Sequence, residues 1–124
     1  MSASPVFIRD IQPNDGSTIL LTWALTTAVP DGVPLEWGQW ADRYVQAVGS
    51  PWGAATASME GSNDGVNWSP LSNAAGGAAA TFAANGGKTL IEVPRYMRPN
   101  LTAVGVGANV QVILFARRAQ PLRT

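Results

Sequence analysis

A chain of 124 residues is the size of one ordinary domain. Apolar residues make up 46% and charged ones only 13%, while eight basic and eight acidic residues cancel, so no global field recruits nucleic acid or a membrane. Cys and His are both absent, which excludes disulfides, thiolate nucleophiles, Cys/His zinc sites and Ser-His-Asp catalysis.

The opening run MSASPVFIRD has neither a basic n-region nor an apolar h-region, so no secretory leader is expected. No apolar run reaches the ~20 residues of a membrane span. Synthesis in a cytoplasm is therefore expected. Helical periodicity is nearly absent, because 13 Gly and 9 Pro break the chain into short β-type runs. PVFIRD is a weak strand. STILLTWAL is the clearest one, with Ile19, Leu21, Trp23 and Leu25 on one face and Thr18, Leu20, Thr22 and Ala24 on the other. PLEWGQWADR and GSPWGAA are turn-rich and hold Trp37, Trp40 and Trp52.

DRYVQAVGS sets Tyr44, Gln46 and Val48 against Val45 and Ala47. GAATASMEG is a strand poor in bulk, so its packing must be close. The segment 72–87, SNAAGGAAATFAANGG, is of low complexity and reads as a flexible loop with at most one short strand, at ATFAA. KTLIEV sets Thr89, Ile91 and Val93 against Leu90 and Glu92, and MRPNLTAV is a weaker strand. NVQVILFAR is apolar on both faces, as in a strand covered from both sides. Residues 1–5 and 119–124 read as extended arms, with Pro5 and Pro121 discouraging regular structure. The total is about eight strands in one domain over residues 1–124: an all-β antiparallel β-sandwich or jelly roll.

The chemistry-bearing residues are few. Asn63, Asp64 and Gly65 form a strong hairpin signal, because Asn and Asp tolerate left-handed backbone and Gly is free to adopt it. Calcium wants six to eight oxygens. Only Glu60 and Asp64 are acidic nearby, so the turn reading is preferred and no metal or cofactor is expected. Catalytic carboxylate pairs among eight acids carry no specific signal, and no enzyme is expected. Trp23 and Trp68 are assigned to the core. Trp37, Trp40 and Trp52 either cap the ends of the sandwich, anchor a protein interface or stack on a ligand. Arg117, Arg118 and Arg123 form either a solvated tail or a docking arm.

EGSNDGVNWSPL, followed by PRYMRPNLT and then VQVILFARR, resembles small β-sandwich modules of tailed-bacteriophage virions. The nearest are the jelly-roll cement, or capsid-decoration, proteins of short-tailed phages. The same cadence is similar to discoidin-like galactose-binding sandwiches, whose Ser-x-Asp-Gly turn, Trp and Arg-Tyr-x-Arg strand correspond to Ser62, Asp64, Gly65, Trp68, Arg95, Tyr96 and Arg98. The resemblance covers Met59 to Arg118. Discoidin modules are usually secreted and disulfide-closed, which this Cys-free chain does not match.

The phage resemblance implies a structural virion protein on the capsid exterior, made in the host bacterial cytoplasm. Its partner would be the major capsid protein, and it would self-associate as a dimer or trimer, without direct contact to nucleic acid or membrane. The alternative is a carbohydrate-binding sandwich of a tail fibre or bacterial surface system.

Overall fold

The computed structural model describes residues 6–9, 18–36, 40–74, 77–92, 94–102 and 107–118. They form ten strands: β1 (Val6–Arg9), β2 (Thr18–Thr26), β3 (Leu35–Glu36), β4 (Trp40–Gly49), β5 (Thr56–Ser62), β6 (Ser69–Pro70), β7 (Thr81–Phe82), β8 (Gly86–Thr89), β9 (Tyr96–Thr102) and β10 (Asn109–Arg118). One sheet has the order β1-β2-β10-β4-β8, the other β3-β9-β5-β6, and β7 pairs with β5 off that path. Every pairing is antiparallel. With the short β1 and β7 set aside, the eight remaining strands order as 2-10-4-8 and 3-9-5-6, which is the connectivity of a jelly roll.

Alternation builds the core. In β2 the inward positions Ile19, Leu21, Trp23 and Leu25 are buried, and in β10 the matching set is Val110, Val112, Leu114 and Ala116. Met59, Met97 and Leu101 close the layer from the opposite sheet. The Trp23 indole N–H, buried with its ring, donates to the Val33 carbonyl at 3.0 Å, so burial leaves no unmet donor. The small residues of β5 allow close packing: a Cβ on Gly61 would sit 2.6 Å from Pro94 Cγ and 2.7 Å from Leu71 Cδ2, and Ala57 is buried.

Three expectations need correction. Outside residues 75 and 76, which are not described, the segment 72–87 is tied down at many points: Ser72 bridges Ala79, Asn73 bridges Leu90, β7 pairs with β5, and β8 pairs with β4. Its structure comes from backbone bonds such as Ala80 N–H to Leu71 O at 2.7 Å, which need no bulky side chain. KTLIEV is a strand only as far as Thr89. Beyond it the chain crosses between the sheets, with Leu90 N–H on Arg43 O and Ile91 N–H on Ser72 O, leaving Ile91 exposed. Trp68 is half-buried outside the sandwich interior, over Arg98.

Candidate functional site

The SNDG stretch is a self-contained turn. Asp64 Oδ1 accepts from Ser62 Oγ and from the backbone N–H groups of Val66 and Asn67, each at 2.8 Å, and Oδ2 accepts from the Asn67 amide at 2.8 Å. Ser62 Oγ in turn accepts from the N–H groups of Asp64 and Gly65. Gly65 sits at φ +75°, where a Cβ would be strained. The hydrogen bonds from the Asn67 and Val66 backbone hold the Asp64 carboxyl well below the usual carboxylate range. Asn63 Oδ1 accepts from Arg95 N–H at 3.1 Å and ties the hairpin to the start of β9. Asp64 is thus committed to the turn, and among the described residues no group of three acidic side chains is placed to hold a metal ion.

Beside this hairpin lies an open cleft of about 430 Å³, whose lining includes Ser62, Asn63, Asn67, Ser69 and Glu92. Glu92 is fixed by Ser72, which donates from both its N–H and its Oγ at 2.7 Å; these bonds pull the Glu92 carboxyl below its ordinary range.

The two sheets present unlike outer surfaces. On the β9/β5 side, Glu60 and Arg98 are register partners and pair at 3.1 Å, with the Arg98 guanidinium 4.2 Å from the centre of the Trp68 ring. Arg95 donates to Glu36 at 2.7 Å, and its guanidinium also lies over Tyr96. This is a surface of held ion pairs and aromatic rings. On the β2/β10/β4 side the outward positions run in rows: Leu20, Phe115 and Tyr44 in one, Thr22, Ile113 and Gln46 in the next, Ala24, Gln111 and Val48 beyond. Leu20, Ile113 and Phe115 are half-buried, and Tyr44 is 48% exposed. An outward sheet face is ordinarily polar; this one carries an apolar band.

The other predicted residues separate. Trp52 packs against the end of the core, and its indole N–H donates to Asn85 at 2.8 Å, which fits a cap. Trp40 and Arg118 are register partners at the ends of β4 and β10, and Arg117 pairs with Ala41 across a bulge. Arg117 and Arg118 are therefore strand residues, because β10 keeps pairing to its last position. Trp37, Arg123 and both arms lie outside the described residues. Sequence reasoning missed Arg43, which is 1% exposed within the sandwich. Its Nη1 donates to Met97 Sδ at 3.2 Å, and its Nη2 has no hydrogen-bond partner. Burial pushes the guanidinium down to about 10, against the opposing pull of Glu92. The strand phase shared with Val45 and Ala47 was the available signal.

No protein-family model and no curated protein sequence matches this chain. Among solved structures, the SPBc2 prophage-derived protein YomS has a similar fold, with a TM-score of 0.55 over 79% of this chain and 94% of that one, at 10% sequence identity. At that identity the likeness is one of fold.

Proposed function

We propose that this chain is a structural virion protein that binds the outside of a phage capsid across subunit joints and stabilises the shell. The observation that carries the reading is the pair of chemically unlike outer sheet faces on a jelly roll. One carries an apolar band of Leu20, Ile113 and Phe115, and the other is a platform of Arg98, Glu60, Trp68, Arg95 and Glu36 held in place by its own pairs. Preset side chains lose little freedom on docking, which favours a mechanical, binding role. The fold likeness to a prophage-derived protein supports the phage setting.

Binding to the assembled lattice in preference to free subunits stabilises the lattice by mass action. A specific contact of this kind buries on the order of 1,000 Å² or more. In this reading the aromatic and Arg groups of the β9/β5 face meet the shell, with charged pairs at its rim setting orientation. The chain acts as a binding protein, not an enzyme.

The second reading is a carbohydrate-binding module, and the cleft beside the hairpin favours it: Asn63, Asn67 and Glu92 offer both donors and acceptors to hydroxyl groups. One experiment separates the two. Undecorated, expanded phage shells are pelleted with the wild-type protein and with an Arg98→Ala variant, and both proteins are applied to a glycan array. Saturable pelleting of the wild type, weakened in the variant, is expected. Retention on glycans without pelleting overturns the shell reading.

A further inference from the structure

The cleft beside the hairpin has a chemistry set by the turn that walls it. We infer that it receives an arginine side chain carried on a segment of a partner protein, with the guanidinium on Glu92 and the aliphatic stem on Pro94 and Leu71.

The hydrogen bonds around the cleft decide what each lining group can offer. Ser62 Oγ is committed to Asp64 and Gly65. Asn67 turns its amide nitrogen to Asp64 Oδ2, which directs its Oδ1 away from the turn as an acceptor. Asn63 is held the other way round: its Oδ1 accepts from Arg95 N–H, so it adds a donor. Glu92 accepts through both oxygens. A carboxylate has about four acceptor sites. Ser72 takes two of them, one on each oxygen, at 2.7 Å. Among the described lining residues the one charge is therefore a fixed carboxylate. A sugar hydroxyl both donates and accepts, whereas a guanidinium has only N–H donors, so the arginine head is the better match. The chain makes the same pairing twice within itself, Arg95 with Glu36 and Arg98 with Glu60.

The floor accounts for the stem. Pro94 and Leu71 pack so closely over Gly61 that a Cβ there would lie 2.6 Å from Pro94 Cγ and 2.7 Å from Leu71 Cδ2, and Pro70 extends the apolar strip. Long basic side chains lay their methylenes on such surface while the head stays with polar groups. At about 430 Å³ the cleft is of ligand size, and it is open enough to admit a side chain borne on a protein segment. Ser72 clamps the carboxylate and the proline rings do not rotate, so little freedom is lost on binding. Arg43 acts on Glu92 from within the sandwich and tempers the attraction, which keeps a single contact weak and reversible.

The inference is independent of shell binding and is tested on the full chain alone. Amide NMR spectra of the isotope-labelled protein are followed as three probes are added, each to roughly 20 mM. They are Nα-acetyl-arginine methylamide, the citrulline analogue, whose neutral urea keeps the shape of the guanidinium, and methyl galactoside. The expected result is saturable shifts at Leu71, Ser72 and Glu92 with the arginine probe, half-complete at about 1–10 mM, and binding of the citrulline probe weaker by about tenfold or more. Glu92→Gln, which keeps the shape and loses the charge, weakens the arginine probe by a similar factor. Should that variant fail to fold, the comparison of arginine with citrulline carries the test on the unchanged protein. No saturable response to arginine, equal responses to arginine and citrulline, or shifts centred on Glu36 and Glu60 overturn the inference. Saturation of the cleft by methyl galactoside in preference to arginine also overturns it and assigns the cleft to carbohydrate.

Discussion

Asn85 and Trp52, 33 residues apart in the chain, share one hydrogen bond that closes an end of the sandwich: the indole N–H meets the Asn85 carboxamide oxygen at 2.8 Å. The same oxygen accepts from Gly49 N–H at 2.9 Å, so a single acceptor holds both the ring and the end of β4. Gly49 has to be glycine for this, since a Cβ there would sit 2.5 Å from the indole nitrogen. Asn85→Ala removes both bonds at an exposed site and is expected to cost about 1 kcal/mol, or ~4 °C in Tm. Asn85→Asp keeps the acceptor and holds close to the wild-type midpoint. Equal losses in the two variants, read by thermal unfolding, would show that the acceptor is not what stabilises this end.

Arg43 lies between the sheets with one guanidinium nitrogen on a thioether and another without a hydrogen-bond partner. A buried charge so weakly compensated is a net cost. Arg43→Met, of similar length and apolar, is expected to stabilise the fold by about 1–3 kcal/mol at neutral pH in urea unfolding. The pH dependence follows from the direction of the shift. The folded-state pKa is lowered to about 10 from the ordinary arginine value, so the penalty is fully present below about 10 and fades as pH rises from there toward that ordinary value. The advantage of Arg43→Met should therefore shrink above about pH 10. A destabilised variant would mean that the Met97 contact outweighs the burial of charge.

How much of this was legible in the sequence depended on side-chain bulk. In β2 the alternation of Ile19, Leu21, Trp23 and Leu25 with smaller or polar residues marks strand, phase and core together, and all four are buried. In 72–87, Ala and Gly leave no such mark, yet Ala80 and Phe82 are buried and backbone bonds knit the segment to β5, β4 and Leu90. Arg43 shows a different limit: its phase pointed inward and its charge pointed outward, and phase prevailed because β4 is a central strand of its sheet. The apolar band is spread over three strands far apart in sequence, so only the register of β2, β10 and β4 brings Leu20, Phe115 and Tyr44 into one row. Asn63-Asp64-Gly65 was readable because the bonds that Ser62 and Asp64 make within the turn span three residues or fewer; only the tie from Asn63 to Arg95, 32 residues on, was out of reach.

Asp64 provides the sharpest test of that turn. Its carboxylate accepts four hydrogen bonds, so Asp64→Asn, which keeps the shape but loses the charge and one of its two acceptor oxygens, is expected to lower Tm at pH 7. The folded-state pKa is depressed, so the stabilisation is complete above the ordinary carboxylate value of about 3.9 and is lost as pH falls below it toward the folded-state value. The gap in Tm between wild type and Asp64→Asn should accordingly be constant from pH 7 to about pH 5 and narrow below about pH 4. Glu92, whose pKa is also lowered, titrates in both proteins and cancels from the difference. A gap that stays constant down to about pH 2 would assign the effect to shape alone. A gap that opens in acid would mean that protonated Asp64 fits the turn better than the carboxylate does.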